Sequence, residues 1–180
     1  MKNLNTKKLA YAALFLALCL VLPMLTGQIP QIGSMLLPMH IPVLLCGLVC
    51  GWQYGAAVGF VAPLLRSVLF GMPPMYPVAI AMAFELLTYG LVIGLVYRRM
   101  AQKGAAGVYA ALPTAMVAGR LVWGVAEVVL LGLGGKAFTA QTFLAGALLN
   151  AVPGIIVQLV LIPAVMAVLQ KARAVKEYAE

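Results

Sequence analysis

The sequence predicts an all-α membrane protein, a compact bundle of six transmembrane helices in a single domain over residues 1–180. Of the 180 residues, 64% are hydrophobic and only 9% are charged, whereas about a quarter of the residues in soluble domains are charged. A soluble domain of this length could not bury so much apolar surface in one core, but a bilayer solvates it directly. The apolar residues also form six separate runs, and the basic residues collect at one set of run ends.

The six runs are separated by proline, glycine and charged residues. They cover residues 8–26, 38–53, 55–71, 76–97, 107–132 and 142–170. The first run follows Lys7 and Lys8 and superficially resembles a signal peptide. It has no clear small-residue cleavage site after it and is long enough to cross a bilayer, so we interpret it as the first membrane helix. The second and third runs are short, and "GWQYG" at 51–55 is their predicted turn.

The distribution of lysine and arginine predicts that both termini are cytoplasmic, because cytoplasmic loops carry the excess of these residues. With the N-terminus inside, the outer loops 27–37, 71–76 and 133–141 hold only Lys136. The inner segments hold Lys2, Lys7, Lys8, Arg98, Arg99, Lys103, Lys171, Arg173 and Lys176. The net charge of +8 is therefore explained by topology and does not indicate nucleic-acid binding.

Cysteine content and motifs limit the chemistry that we expect. Cys19, Cys46 and Cys50 lie inside apolar runs, which is typical of packing residues rather than of disulfides or metal ligands. The chain has no P-loop, no HExxH and no GxSxG flanked by a histidine partner. We therefore predict no metal, no cofactor and no ATP hydrolysis by this chain alone.

Four ionisable residues lie inside the runs or near their ends: Arg66, Glu85, Arg120 and Glu127. A charge near the bilayer centre costs about 3 kcal/mol on insertion scales, so such a group normally faces a partner or a wet cavity. At 1.5 Å per residue from the outer end, Glu85 lies about 13 Å deep, Glu127 about 8 Å and Asn150 about 12 Å. These three polar groups are predicted to share one layer.

The spacing of the polar residues predicts an outward-facing pocket between runs four, five and six. Arg120, Trp123 and Glu127 lie three and four residues apart and thus on one helical stripe. Tyr89 follows Glu85 by one turn. Such a pocket suits a small polar molecule with an apolar or stackable part. Structural ion pairs, Glu85 with Arg120 or Glu127 with Arg66, are the alternative.

His40 lies at the outer start of the second run, between Pro38 and Pro42. A single histidine at this position is usually a helix-end polar residue, but its closeness to the outer mouth makes it a further candidate for the pocket. The preceding loop, "TGQIPQIGSMLLPM", is largely apolar and rich in proline and glycine, which is typical of a lid packed over a pocket.

Small residues recur four positions apart, a spacing that lets helix backbones approach closely in a bilayer. The pairs are Ala13 and Ala17, Gly47 and Gly51, Gly55 and Gly59, and Gly90 and Gly94. We expect them at helix contacts.

The six short runs, the Lys-rich start before "LAYAALFLALCL" and two longer blocks resemble a known family. These blocks are "HIPVLLCGLVCGWQYGAAVGFVAPLL" and "GMPPMYPVAIAMAFELLTYGLVIGLVYRR". Over nearly its whole length the chain resembles the substrate-binding S component of an energy-coupling factor (ECF) vitamin transporter. The resemblance implies a bacterial plasma-membrane protein that binds a vitamin from outside and then associates with a transmembrane scaffold protein and two ATPase subunits, which bind the ATP.

The resemblance also implies the location of two sites. Ala13 and Ala17 match the family's small-residue motif for the scaffold contact. The family's pocket uses helices four to six and the first outer loop, where Glu85, Trp123 and Asn150 lie. The block in run four favours pantothenate, whose carboxylate suits Arg120 or Arg66. A ring vitamin or precursor, such as pyridoxine, hydroxymethylpyrimidine or thiamine, would instead stack on Trp123 and donate to Glu85 or Glu127.

Other classes fit the residues less well. An intramembrane enzyme would use His40, Ser67 or Glu85, but no nucleophile with an oriented base is recognisable. A channel needs polar residues along a complete path, and the inner halves of the runs are almost wholly apolar. A stand-alone transporter is also less favoured, because no internal repeat of two similar halves is visible.

Overall fold

The computed structural model describes residues 2–25, 35–100, 104–135, 139–145 and 151–171. Within these ranges the protein is all-helical, as predicted, and five helices are long and apolar enough to cross a membrane. The helices are α1 (Lys2–Leu25), α2 (His40–Cys50), α3 (Trp52–Phe70), α4 (Ile80–Met100), α5 (Ala105–Leu133), α6 (Ala140–Leu144) and α7 (Val152–Lys171). A kinked segment, Met75–Ala79, in which Tyr76 has an extended backbone (φ −115°, ψ 132°), leads into α4 and lies within the same crossing segment.

The second run, predicted as a short membrane helix over 38–53, forms a still shorter helix. Its helix, α2, has only 11 residues, so it is about 16 Å long against a hydrocarbon core of about 30 Å. Gly51, with φ +98°, separates α2 from α3, which begins at Trp52. The turn is therefore one residue, shorter than the predicted 51–55, because a glycine in this backbone region can reverse the chain at once.

The sixth run is also divided differently from the prediction over 142–170. The five-residue helix α6 ends at Leu144, and α7 begins only at Val152. Pro153 lies in the first turn of α7. A backbone N–H at this position would have no acceptor within the helix, so proline is tolerated there. Asn150 lies outside the described residues.

Glycines bring α2, α3 and α4 into direct backbone contact, which confirms the predicted role of Gly47, Gly55, Gly59, Gly90 and Gly94. A methyl group on Gly47 would lie 2.8 Å from the carbonyl oxygen of Gly90, and one on Gly55 would lie 2.7 Å from Cα of Gly47. Gly51 differs from the prediction because it forms the turn, and Ala13 and Ala17 differ because they are exposed on α1. These close approaches set the register in which α2 lies against α4.

The remaining helices pack around this core. α1 lies against α2 and α3, α5 lies along α4, and α7 makes fewer contacts, mainly with α5 and α2. Gln170 Nε2 donates a hydrogen bond of 3.0 Å to the Tyr97 hydroxyl, which joins the C-terminal ends of α4 and α7. The basic residues of those two ends, Arg98, Arg99 and Lys171, therefore lie on the same side of the bundle.

Candidate functional site

Three charged or ionisable side chains from three helices meet inside the bundle. Oε1 of Glu85 on α4 lies 3.0 Å from Nη1 of Arg120 on α5 and 3.4 Å from Nε2 of His40 on α2. Both Glu85 and His40 are only 1% exposed. We call these three residues the charged cluster, and it brings together three of the residues that the sequence predicts for the site.

The short length of α2 places His40 in this cluster. Glu85 lies ten residues beyond Met75, the start of its membrane span, a depth of about 15 Å. His40 is the first residue of α2 and touches Glu85, so α2 begins inside the bundle. The partial positive charge at a helix N-terminus favours a carboxylate there.

The segment before α2 packs against α7. A methyl group on Gly154 of α7 would lie 2.6 Å from the carbonyl oxygen of Met35 and 3.0 Å from that of Leu36. Leu37, buried like its neighbour Met39, has φ +51°, a conformation that costs energy for a residue with a side chain. Close packing against Gly154 thus fixes the approach of this segment to the cluster.

The charged cluster retains unused hydrogen-bonding capacity. Glu85 contacts Arg120 and His40, but Oε1 is not aligned with either donor as a hydrogen bond requires. Within the described ranges, Arg120 Nε and Nη2 and both ring nitrogens of His40 are buried without a hydrogen-bond partner. Buried polar groups of this kind are costly unless something supplies the missing partner.

Tyr89 packs directly behind the cluster. Its ring lies edge-on to the imidazole of His40, with ring centroids 5.1 Å apart and an interplanar angle of 78°. The same ring lies over Gly119 of α5, where a methyl group would be 2.9 Å from two of its carbons. Its hydroxyl lies close to Arg120. Tyr89 therefore supports the positions of His40 and Arg120.

An aromatic pair continues the site along α5. The rings of Trp123 and Phe143 are stacked, with centroids 6.1 Å apart and an interplanar angle of 26°. The guanidinium carbon of Arg120 lies 6.0 Å from the centroid of the Trp123 ring. Gly124 leaves room for Phe143, because a methyl group there would be 2.5 Å from that ring. The stack joins α6 to α5.

Glu127 lies one turn beyond Trp123 on the same stripe and is 6% exposed. It forms no hydrogen bond or ion pair with the part of the chain that the structure describes. Glu127 is thus a nearly buried carboxylate beside an aromatic pair.

Arg66 lies apart from the charged cluster. Its Nη1 donates to the backbone carbonyl of Leu20 in α1, and its guanidinium lies 5.3 Å from the centre of the Phe70 ring. Of the two structural ion pairs considered from the sequence, Glu85 with Arg120 is present. Arg66 instead joins α3 to α1, near the point where Pro23 interrupts the hydrogen bonds of that helix.

Two further residues, a buried amide and an aromatic residue, were not singled out from the sequence. Gln158 of α7 is 1% exposed, and its Nε2 has no hydrogen-bond partner within the described ranges. Phe143 stacks on Trp123. The sequence does indicate that Gln158 is unusual, because it is an amide inside an otherwise apolar helix. It also lies four residues from both Gly154 and Ile162, on the buried face of α7. Phe143 carried no such signal, because one aromatic residue in an apolar run is ordinary.

The arrangement is suited to binding a polar molecule. It offers N–H donors at Arg120 and His40, and the Glu127 carboxyl group and the Trp123 ring lie on the same stripe of α5 as Arg120. Within the described ranges, no group of three His, Cys, Asp or Glu residues could hold a metal ion. Donors, an acceptor and an aromatic wall in an apolar bundle are the features of a small-molecule site.

The family model for the substrate-specific component of ECF transporters matches residues 7–166 of the chain. Searches of curated proteins and of solved structures found no match. The family match covers most of the chain, including both alanines of α1 and all residues of the charged cluster. With five membrane-crossing helices, it identifies a multi-pass membrane protein. The chain therefore belongs to the family of substrate-specific components of ECF transporters.

Proposed function

We propose that the protein is the membrane-embedded subunit that binds a water-soluble vitamin with high affinity and delivers it for uptake through an ECF module. The observation that carries this proposal is the charged cluster, whose buried N–H groups on Arg120 and His40 have no partner among the described residues. Ionisable residues inside an apolar bundle usually mark a functional site, and donors without partners indicate that this site binds a polar solute. Pantothenate and the ring vitamins are the candidate substrates.

We propose a topology of six membrane segments with both termini in the cytoplasm. α2 is too short to cross alone, and Met35 and Leu36 before it lie against Gly154 of α7. We propose that this segment completes the passage from the outer side. Arg98, Arg99 and Lys171 end α4 and α7 on one side of the bundle, as the positive-inside rule requires of a cytoplasmic surface. The membrane is the plasma membrane of a bacterium.

The proposed partners are a transmembrane scaffold protein and two ATPase subunits, which bind and hydrolyse the ATP. Ala13 and Ala17 are both exposed on α1, one turn apart on a face that the bundle leaves uncovered. Small residues at this spacing allow another helix to approach closely. We assign this face of α1 to the scaffold protein. The chain itself would act as a transport subunit and not as an enzyme.

We assign the predicted site residues to two roles. Arg120, Trp123 and Glu127 would contact the solute, because they share one stripe of α5 and Arg120 has buried nitrogens without a partner among the described residues. Glu85, His40 and Tyr89 would hold Arg120 in position through charge and packing. Asn150 stays a proposed contact from the last predicted run, and Arg66 is assigned to the α1 contact.

Thermal unfolding of the purified protein with a panel of vitamins tests the proposal, since a ligand that binds only the folded state raises its apparent stability. Free ligand at about 100 times its Kd should add about 2.7 kcal/mol. Trp123→Ala should abolish the shift, while Trp52→Ala, the other tryptophan of the chain, serves as the control. A panel that leaves the unfolding temperature unchanged would contradict the proposed function.

A further inference from the structure

Three exposed cations lie at the ends of α4 and α7, on the side of the bundle that we assign to the cytoplasm. Arg98 and Arg99 belong to the last turn of α4, and Lys171 is the last residue of α7. All three residues are exposed. We call them the basic rim. The candidate vitamin site does not use them.

A hydrogen bond fixes the two helix ends beside each other. Gln170 Nε2 donates to the Tyr97 hydroxyl at 3.0 Å. Arg98 directly follows Tyr97 in the chain, and the residue after Gln170 is Lys171. Cations from two different helices are therefore held at neighbouring positions although like charges repel each other. An anion between them would relieve that repulsion.

The start of α3 adds an aromatic residue to the same region. A methyl group on Gly94 would lie 2.5 Å from Cα of Trp52, the first residue of α3. Arg98 lies four residues beyond Gly94, so it is one turn further along the same face of α4. Trp52 is partly exposed, and tryptophan favours the level of the lipid headgroups. The basic rim therefore lies near the boundary between the hydrocarbon core and the headgroups.

No acidic side chain in the described part of the chain neutralises the basic rim. The acidic residues in that part are Glu85 and Glu127, and both are buried in the bundle. Glu85 precedes Arg98 by 13 residues, a distance of about 20 Å along α4. The C-terminal segment 172–180 contains two basic and two acidic residues, so its side chains add no net charge. The counter-charge of the rim has to come from another molecule.

α7 presents apolar side chains on the membrane side of the basic rim. Val160 and Val168 are each 67% exposed, and they lie in a helix that is long and apolar enough to cross the membrane. Side chains of this kind contact acyl chains. Lys171 lies three residues beyond Val168 on neighbouring positions of the helix surface. Cations beside a phosphate and valines beside an acyl chain match the two parts of one phospholipid.

We infer that the basic rim binds an anionic phospholipid of the cytoplasmic leaflet, with its phosphate at Arg98 and Lys171 and an acyl chain along Val168. Arginine suits this role, because its guanidinium can donate two parallel hydrogen bonds to a phosphate. Basic clusters just cytoplasmic of membrane helices attract anionic lipids. A soluble acidic peptide or a free phosphate would leave the apolar part of the surface unused. The inference adds a lipid partner to the vitamin and the scaffold protein.

Quenching of tryptophan fluorescence by brominated lipids tests the preference at this position. Trp123→Phe leaves Trp52 as the single tryptophan of the chain, and a lipid with brominated acyl chains quenches it on contact. The purified protein is placed in vesicles that mix phosphatidylglycerol and phosphatidylcholine, with bromine on one lipid at a time. We expect phosphatidylglycerol to bind beside Trp52 at least about fivefold more tightly, since one basic residue near the surface contributes a factor of this size.

Variants of the arginines separate charge from packing. Arg98→Gln/Arg99→Gln should lose the preference for phosphatidylglycerol. Arg98→Lys/Arg99→Lys is the matched control, because it keeps both charges and should keep most of the preference. Sodium chloride at about 1 M should also remove the preference, because it screens exposed charges. If the glutamine variant does not fold, this salt titration of the protein with native arginines keeps the test decisive.

Two further readouts complete the test. Glycerol 3-phosphate in solution should not compete with phosphatidylglycerol, because it has the phosphate without the acyl chains. Native mass spectrometry of the protein with both tryptophans should show the same preference between the two lipids. Effective competition by glycerol 3-phosphate would overturn the lipid assignment in favour of a soluble phosphate.

The other outcomes also decide the inference. Equal binding of the two lipids beside Trp52 would overturn it, and so would a preference that survives in the glutamine variant or in high salt. A loss of preference in the lysine variant equal to that in the glutamine variant would show that charge is not the cause. No arm of the experiment contains a vitamin, so each of these results leaves the proposed function standing.

Discussion

Arg120 and Glu85 form an ion pair between α5 and α4, with Nη1 3.0 Å from Oε1. The carboxylate also touches His40 at 3.4 Å, so two cationic or ionisable partners converge on one buried oxygen. The guanidinium has further nitrogens without a partner among the described residues. The pair therefore holds Arg120 in the position from which it can also bind a solute.

Breaking this pair should destabilise the empty protein. Glu85→Gln leaves the charge of Arg120 buried without compensation, which costs about 3–5 kcal/mol in comparable pairs. The double variant Glu85→Gln/Arg120→Gln should lose less than the sum of the two single variants, because it removes both charges. The free energies of unfolding are measured in mixed detergent micelles without ligand. Additivity within about 0.5 kcal/mol would show that the two charges are not coupled.

The two buried arginines should respond differently to replacement. Arg66→Met removes the donor to the Leu20 carbonyl and should lower the free energy of unfolding by about 1–3 kcal/mol, with ligand affinity nearly unchanged. Arg120→Met should abolish ligand binding. Titration of the best ligand into both variants checks the contrast. A loss of affinity in Arg66→Met equal to that in Arg120→Met would place Arg66 in the site instead.

Backbone contact between α3 and α4 makes Gly90 sensitive to a single methyl group. Gly90→Ala places Cβ against the backbone of Gly55 and should cost about 1–3 kcal/mol by overpacking. Gly132→Ala is the matched control in α5, since a methyl group there meets nothing within 4 Å. The control should be neutral or stabilising by up to about 1 kcal/mol, because alanine favours the helix. Equal effects of both changes on thermal unfolding would contradict the close packing.

The exposed alanines of α1 should matter for transport and not for binding. Ala13→Trp or Ala17→Trp should abolish vitamin uptake by cells that also express the scaffold and ATPase subunits, while purified protein keeps its ligand affinity. Ala164→Trp is the control, because Ala164 is an exposed alanine on α7 outside this face. Uptake that survives in both α1 variants would remove the scaffold assignment.

The sequence was sufficient to predict the class of the protein and the position of most helices. Apolar runs reveal where helices lie, because membrane insertion depends on the composition of each segment by itself. The stripe of Arg120, Trp123 and Glu127 was also predictable, since helical spacing within one segment decides which residues share a face.

Relations between segments could not be predicted in this way. His40 reaches Glu85 only because α2 is short and begins inside the bundle, and that depth depends on glycine contacts across α2, α3 and α4. Arg66 and Arg120 look alike in sequence, as single arginines in apolar runs. Only packing shows that the first donates to a backbone carbonyl of α1 and the second pairs with Glu85.

The sparse packing of α7 has a mechanical consequence for the whole molecule. Glycines bring α2, α3 and α4 into direct backbone contact and so lock these three helices together, whereas α7 makes fewer contacts with the other described helices. Rotation of α7 away from the bundle about the Tyr97–Gln170 hydrogen bond would break far less packing than separation of α2, α3 and α4. We therefore expect any opening of the bundle to begin at α7, with α2, α3 and α4 keeping their relative positions.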